Sequence, residues 1–184
     1  MSPKVGYLLM IDDSKDEIFI GLIADTHIPS RCAEIPKVII DDFLDKEVDY
    51  VFHLGDFTDY SVYEGLQDIF GRDKVIGIRG NMDDSKINSK LPERIELTAY
   101  GYNILLLHGW GGPNMVIRRL KKHIDLEKYH IILFGHIHKP LTEKVDNQYF
   151  INPGTPTDKK FTDINSYGFL TLSREKIEPE IRYL

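Results

Sequence analysis

The sequence predicts an α/β protein with mixed rather than purely parallel sheets. Two observations carry this. Through the first two thirds of the chain, apolar runs of strand length alternate with stretches of helical periodicity, and the last third is mostly hairpins. Five of the apolar runs also stop at a polar cluster, and in open α/β sheets ligands bind just outside the carboxyl ends of strands. At 184 residues the chain is long enough for one well-buried core and short for two, so residues 1–184 read as one domain.

In chain order, residues 5–11 and 18–24 are apolar and flank Asp12-Asp13-Ser14-Lys15-Asp16-Glu17. The charged stretch reads as a solvated hairpin turn, making residues 1–17 an extra N-terminal strand and turn. It lacks the glycine and closing glutamate of an EF-hand loop. Ile18 to Ala24 is a buried-type strand that stops at Asp25-Thr26-His27. Ile35, Val38, Ile39 and Phe43 recur at helical spacing across 35–48. Asp49 to Leu54 is the next strand and ends in Gly55-Asp56. Ser61 with Glu64 has the pattern of a capping box, ahead of Val62, Leu66, Ile69 and Phe70 on a second helix. Lys74 to Arg79 is a third strand, ending in Gly80-Asn81-Met82-Asp83.

Arg94 to Thr98 and Tyr102 to Leu107, joined at Tyr100-Gly101, read as a hairpin whose second arm ends at His108-Gly109. Val116, Ile117, Leu120 and Ile124 predict another amphipathic helix. His130 to Phe134 is the strand before Gly135-His136-Ile137-His138. Segments 141–145 and 148–151 flank a hairpin turn at Asp146-Asn147. Asn152-Pro153-Gly154 is a further break, and two strands, about 167–172 and 177–183, follow it.

Composition narrows the class. Apolar residues make up 42% and charged residues 28%, ordinary for a globular protein. The net charge of -6 without a basic stripe argues against nucleic acid as a routine partner. Cys32 is the lone cysteine, so no internal disulfide forms and a reducing compartment fits; a buried apolar role is expected for it. No apolar run approaches the roughly 20 residues of a membrane helix, so no membrane partner is expected. The N-terminal patch Val5 to Ile11, cut off by Asp12-Asp13, makes a poor signal peptide, and a cytoplasmic location is the expectation.

The strand-end clusters are Asp25 with His27, Asp56, Asn81, His108, and His136 with His138. All offer oxygen or imidazole donors, which together predict a metal site. One zinc or iron ion uses three or four such ligands, so seven fit better to two ions sharing a bridging carboxylate. Two ions about 3.5–4 Å apart can hold a hydroxide between them and clamp phosphoryl oxygens.

Asp25-x-His27, Gly55-Asp56, Gly80-Asn81-x-Asp83, His108-Gly109 and Gly135-His136-x-His138 resemble, in this order, the signature of calcineurin-like metallophosphoesterases. The short length is similar to that of the small bacterial and archaeal YfcE-type phosphodiesterases. The resemblance spans residues 25–138, and the Asn152-Pro153-Gly154 turn also fits it. It implies two packed mixed β-sheets flanked by helices, an α/β/β/α sandwich. It implies that Asp25, His27 and His138 bind a first metal, that Asn81, His108 and His136 bind a second, and that Asp56 bridges both. Asp56, Asn81 and His108 double as candidate catalytic residues. The activity implied is metal-dependent hydrolysis of a small phosphoester, a phosphodiester foremost, by in-line attack of the bridging hydroxide. Manganese is the leading metal expectation; nickel, iron and zinc suit the same donors.

The first motif, Asp25-Thr26-His27-Ile28-Pro29-Ser30-Arg31, also resembles that of the retromer scaffold subunit, a non-catalytic protein of the same fold with altered ligand positions. A protein-interaction scaffold is therefore the alternative; against it stands the retention of all seven ligand residues here. Monomer and homo-oligomer are not distinguished by the sequence.

Around the motifs, Asp83 reads either as a residue orienting a ligand or as an exposed loop carboxylate. His53, His123 and His130 read as structural. Trp110 either walls the cleft or packs over its loop. Arg31 reads as a solvated surface residue, with a phosphate contact as the alternative. Met82 departs from the family pattern: many relatives carry a histidine there, placed to protonate the leaving oxygen, and a thioether has no proton to give.

Overall fold

The computed structural model describes residues 7–184. The part of the predicted N-terminal strand that falls on residues 1–6 lies outside the described residues. Among the described residues, eleven strands form two mixed sheets. The strands are β1 (Tyr7–Met10), β2 (Glu17–Ile23), β3 (Tyr50–His53), β4 (Val75–Gly77), β5 (Arg94–Ala99), β6 (Tyr102–Leu107), β7 (Ile131–Phe134), β8 (Pro140–Val145), β9 (Gln148–Pro153), β10 (Ser166–Ser173) and β11 (Ile177–Tyr183). The first sheet runs β1-β5-β6-β7-β9-β8 and the second β11-β10-β2-β3-β4. The helices are α1 (Lys37–Asp45), α2 (Tyr60–Phe70), α3 (Ser85–Lys90) and α4 (Val116–His123).

Period-two burial explains the layering. On β6, Ile104 and Leu106 join Ile20, Leu22, Leu170 and Leu172 of the other sheet between the layers. Their neighbours Leu105 and Leu107 pack outward with Val116 and Leu120 of α4. Strands buried on both faces read as continuous apolar runs, and that is what makes them visible in sequence. Ile39 and Phe43 of α1 and Leu66 of α2 cover the outer face of the second sheet at Val51, Val75 and Phe169. The predicted α/β/β/α sandwich is the observed architecture.

Four local expectations are corrected. The acidic stretch 12–17 is a crossover between sheets, not a hairpin turn, because β1 pairs in parallel with β5 while β2 lies in the other sheet. Its side chains are spent on that crossing: Asp13 accepts from the Tyr100 amide, and Lys15 pairs with Asp49. The cap of α2 is Asp59, which accepts from the Ser61 amide, whereas Glu64 reaches Lys86 instead of closing a capping box. Cys32 is half-buried rather than buried, and Val38 faces solvent despite its helical phase. Helix α3, capped by Asp84 on the Ile87 amide, is absent from the sequence reading because six residues give too little periodicity.

The topology aims the site. Strands β2, β3 and β4 are parallel neighbours, as are β6 and β7. Each releases its polar cluster at its carboxyl end, so the five strand ends deliver their side chains to one face.

Candidate metal centre

Asp25, His27, Asp56 and His138 are buried, and each offers a ligand atom within 4.8 Å of the others. His27 Nε2 faces His138 Nε2 at 3.1 Å. His27 Nε2 lies 3.7 Å from Asp56 Oδ2, and His138 Nε2 lies 3.6 Å from Asp25 Oδ1. Two imidazole lone pairs pointed at each other at this distance repel unless a proton or a cation lies between them.

A second grouping adjoins the first. His136 Nδ1 meets Asn81 Oδ1 at 2.9 Å, and the His136 and His108 rings are 5.3 Å apart. His108 Nδ1 donates to the Leu54 carbonyl at 2.8 Å, which turns Nε2 inward. There Nε2 is buried without a hydrogen-bond partner, 3.2 Å from Asp56 Oδ2 and 3.8 Å from Asp25 Oδ1. A buried nitrogen among carboxylates calls for positive charge, which a proton held against Asp56 or a metal ion supplies. Asp56 Oδ2 borders both groupings, 3.7 Å from His27 and 3.2 Å from His108, and Asp25 reaches the second through His108 and the His136 amide. All seven predicted residues are thus drawn to one region.

The local backbone is built for this convergence. Asp25, His27, Asp56, His136 and His138 all have positive φ, between 46° and 74°. Such strain in non-glycine residues collects at functional sites and persists where surrounding bonds over-determine it. Gly80 is required by crowding, since a Cβ there would lie 2.2 Å from Asp56 Oδ1. At Gly135 it would lie 2.7 Å from the Leu54 carbonyl oxygen.

Asp83 is not an exposed loop carboxylate. It is buried and accepts from the amides of Asp56, Thr58 and Gly80 at 3.1, 2.8 and 2.6 Å, tying the β3 and β4 loops together. His53 is buried, bonded to Thr26 Oγ1 and stacked on Phe57, so it has no path to the cleft. His130 accepts from the Asn103 amide. His123 is exposed and packs on Trp110, which lines a hollow of about 400 Å³ beside Asn81 and His108. Arg31 is not merely solvated: it lines the cleft over the ligand groups, a cavity of about 580 Å³.

Sequence reasoning missed Asp158. It is fully buried and bonds His138 Nδ1, leaving that ring's Nε2 to face Asp25. Thr155 and Thr157 donate from the same loop to the carbonyls of Asp25 and Thr26. No motif marks this loop; the signal is the long-range carboxylate–imidazole contact, of the kind that orients metal-binding histidines.

The electrostatics match a site that wants positive charge. Burial, reinforced by the neighbouring Asp56 charge, pushes Asp25 up to about 8. Burial disfavours a charged His108, yet the adjoining Asp56 and Asp25 carboxylates outweigh it and push the ring up to about 9. Burial takes His27 down to about 4. A metal ion must displace the protons held by Asp25 and His108. Raising the pH removes that competition, so metal affinity should climb as pH approaches about 9 and flatten above it. Calorimetric metal titrations near neutral pH, in buffers of different ionisation enthalpy, should register released protons. Buffer-independent heats together with a pH-independent affinity would refute this electrostatic account.

Comparison with known proteins matches the fold. The model of the calcineurin-like phosphoesterase superfamily domain matches residues 18–175. A probable metallophosphoesterase of Methanothermobacter thermautotrophicus is 31% identical over 165 residues, covering 89% of this chain and 91% of the relative. The structure of a novel archaeal phosphodiesterase superposes with a TM-score of 0.70 at 26% identity, over 91% of this chain and 100% of that one. Vacuolar protein sorting 29 from Cryptosporidium parvum shares the fold, with a TM-score of 0.72 at 20% identity, over 92% of this chain and 99% of that one.

Proposed function

The chain belongs to the calcineurin-like phosphoesterase superfamily, and from that premise we propose that it is a phosphodiesterase working with two divalent ions. One observation carries the reading: a buried set of carboxylates and imidazoles, Asp25, His27, Asp56, His108 and His138, drawn together from four strand ends. The archaeal phosphodiesterase likeness supports the substrate class. In this reading Asp25, His27 and His138 hold the first ion, Asn81, His108 and His136 the second, and Asp56 both. The ions supply Lewis acidity toward phosphoryl oxygens and an activated water near neutral pH, manganese being the first metal to try. The protein's part is to fix the donors: Leu54 holds the His108 tautomer, Asp158 orients His138, and Asp83 clamps the loops bearing Asp56 and Asn81.

The test is turnover of a panel of phosphodiesters and monoesters after reconstitution with manganese, nickel, iron or zinc. Diester hydrolysis above the metal-only background supports the reading. Its absence with every metal favours the second reading, a non-catalytic scaffold of the same fold, which the likeness to vacuolar protein sorting 29 supports.

The ligand split has its own check. His138→Ala and Asp158→Asn should weaken one bound ion, the Asp158 change by about 10–100-fold, and His136→Ala the other. Metal-soaked crystals of each variant read this out. Both imidazoles on a single ion would contradict the split.

A further inference from the structure

Arg31 and Lys160 stand on the cleft wall beside His138; among the described residues Lys160 has no ion-pair partner, and Arg31 has only the 3.8 Å contact of its Nε with Asp158. Both cations lie over the Phe161 ring, Arg31 at 5.6 Å and Lys160 at 5.1 Å from its centroid. Phe161 is 59% exposed and makes an edge contact with His138. A π face positions a cation without neutralising it. The carboxylate nearest Arg31, Asp158, is 3.8 Å from Nε and is already committed to His138 and the Lys160 amide. Among the described residues, no side-chain hydrogen bond consumes the Arg31 guanidinium or the Lys160 ammonium. Lys139 adds a third cation to the same lining, against the single carboxylate Asp56. With the buried carboxylates given over to metal ions, these rim cations point to an anionic ligand larger than one phosphoryl group.

Resting on the phosphodiesterase reading, we propose that Arg31, Lys160 and the Phe161 ring form a second subsite, which binds a further phosphate on the arm of the diester that is retained. The preferred substrate class is then a nucleotide-type diester carrying a second phosphate. The guanidinium fork suits a phosphate bidentately, and Lys160 adds a point charge.

A matched pair tests this: thymidine 5′-(p-nitrophenyl phosphate) and its 3′-phosphorylated form, with the same scissile bond and leaving group. The metal-loaded protein should show a KM on the order of tenfold lower for the phosphorylated form, as expected for charge-assisted contacts. In the Arg31→Ala, Lys160→Ala double variant the ratio of the two KM values should fall to about one. Equal KM values in the unaltered protein, or a preference that survives in the double variant, would overturn the subsite.

Binding separates this inference from the catalytic reading it rests on. Calorimetry should give tighter binding of thymidine 3′,5′-bisphosphate than of thymidine 5′-monophosphate, a difference lost in the double variant, whether or not any diester is hydrolysed. Equal affinities in the unaltered protein would sink the subsite alone; absent turnover with unequal affinities would sink the catalytic reading alone.

Discussion

Asp56→Asn is expected to cut diester turnover by more than about 10³-fold while leaving the fold intact. Losing one preorganised donor at a reacting oxygen costs about 10²–10³-fold, and Asp56 is assigned to both ions rather than to one. The substitution is nearly isosteric. Oδ1 can still accept from the Met82 amide, now at 2.7 Å, but the other position changes from an acceptor facing His27 and His108 into an amide donor aimed at the same space. Removing the charge also relieves Asp25, whose carboxyl Asp56 helps to push up. Despite burial, contacts with His108 hold the Asp56 carboxyl below its ordinary value, so losing its charge costs some stability: the metal-free variant should melt somewhat below the parent yet fold, by circular dichroism. A well-folded Asp56→Asn protein that hydrolyses diesters at the parental rate would remove the two-metal assignment.

The second large effect concerns the leaving group. Met82 is 59% exposed and lines the cleft next to Asn81, and its thioether has no proton to give a leaving oxygen. A general acid contributes roughly 10²–10⁴-fold, most where the departing oxygen is a poor leaving group. His53 cannot substitute: it is buried, stacked on Phe57 and held well below the usual imidazole range by burial. Activated aryl diesters should be cleaved far faster than alkyl diesters of similar size, with rates falling steeply as leaving-group pKa rises. Met82→His should speed the alkyl substrates selectively. A flat dependence on leaving-group pKa, with chemistry shown to be rate-limiting, would mean that another donor reaches the leaving oxygen.

The sequence made the site legible where chemistry and local structure coincide. Asp25, Asp56, Asn81, His108, His136 and His138 each follow an apolar run, and strand direction sends those ends to one place. What it hid is tertiary. Asp158 lies 20 positions from His138, in a loop without periodicity, and only folding brings its carboxylate to the ring. The seating of Arg31 against Phe161 joins residues that nothing local connects. The first strand misled because adjacency suggested a hairpin, whereas β1 pairs in parallel with β5, far along the chain. Asp83 was ambiguous because acceptance from three amides does not register in composition.

The most direct test is one titration. Metal-free protein is titrated with manganese while hydrolysis of bis(p-nitrophenyl) phosphate and bound metal per chain are followed together. The account predicts that hydrolysis rises with occupancy and saturates with two ions bound, and that Asp56→Asn stays flat under the same conditions. Binding of manganese without hydrolysis would contradict the account and leave the fold to a scaffold.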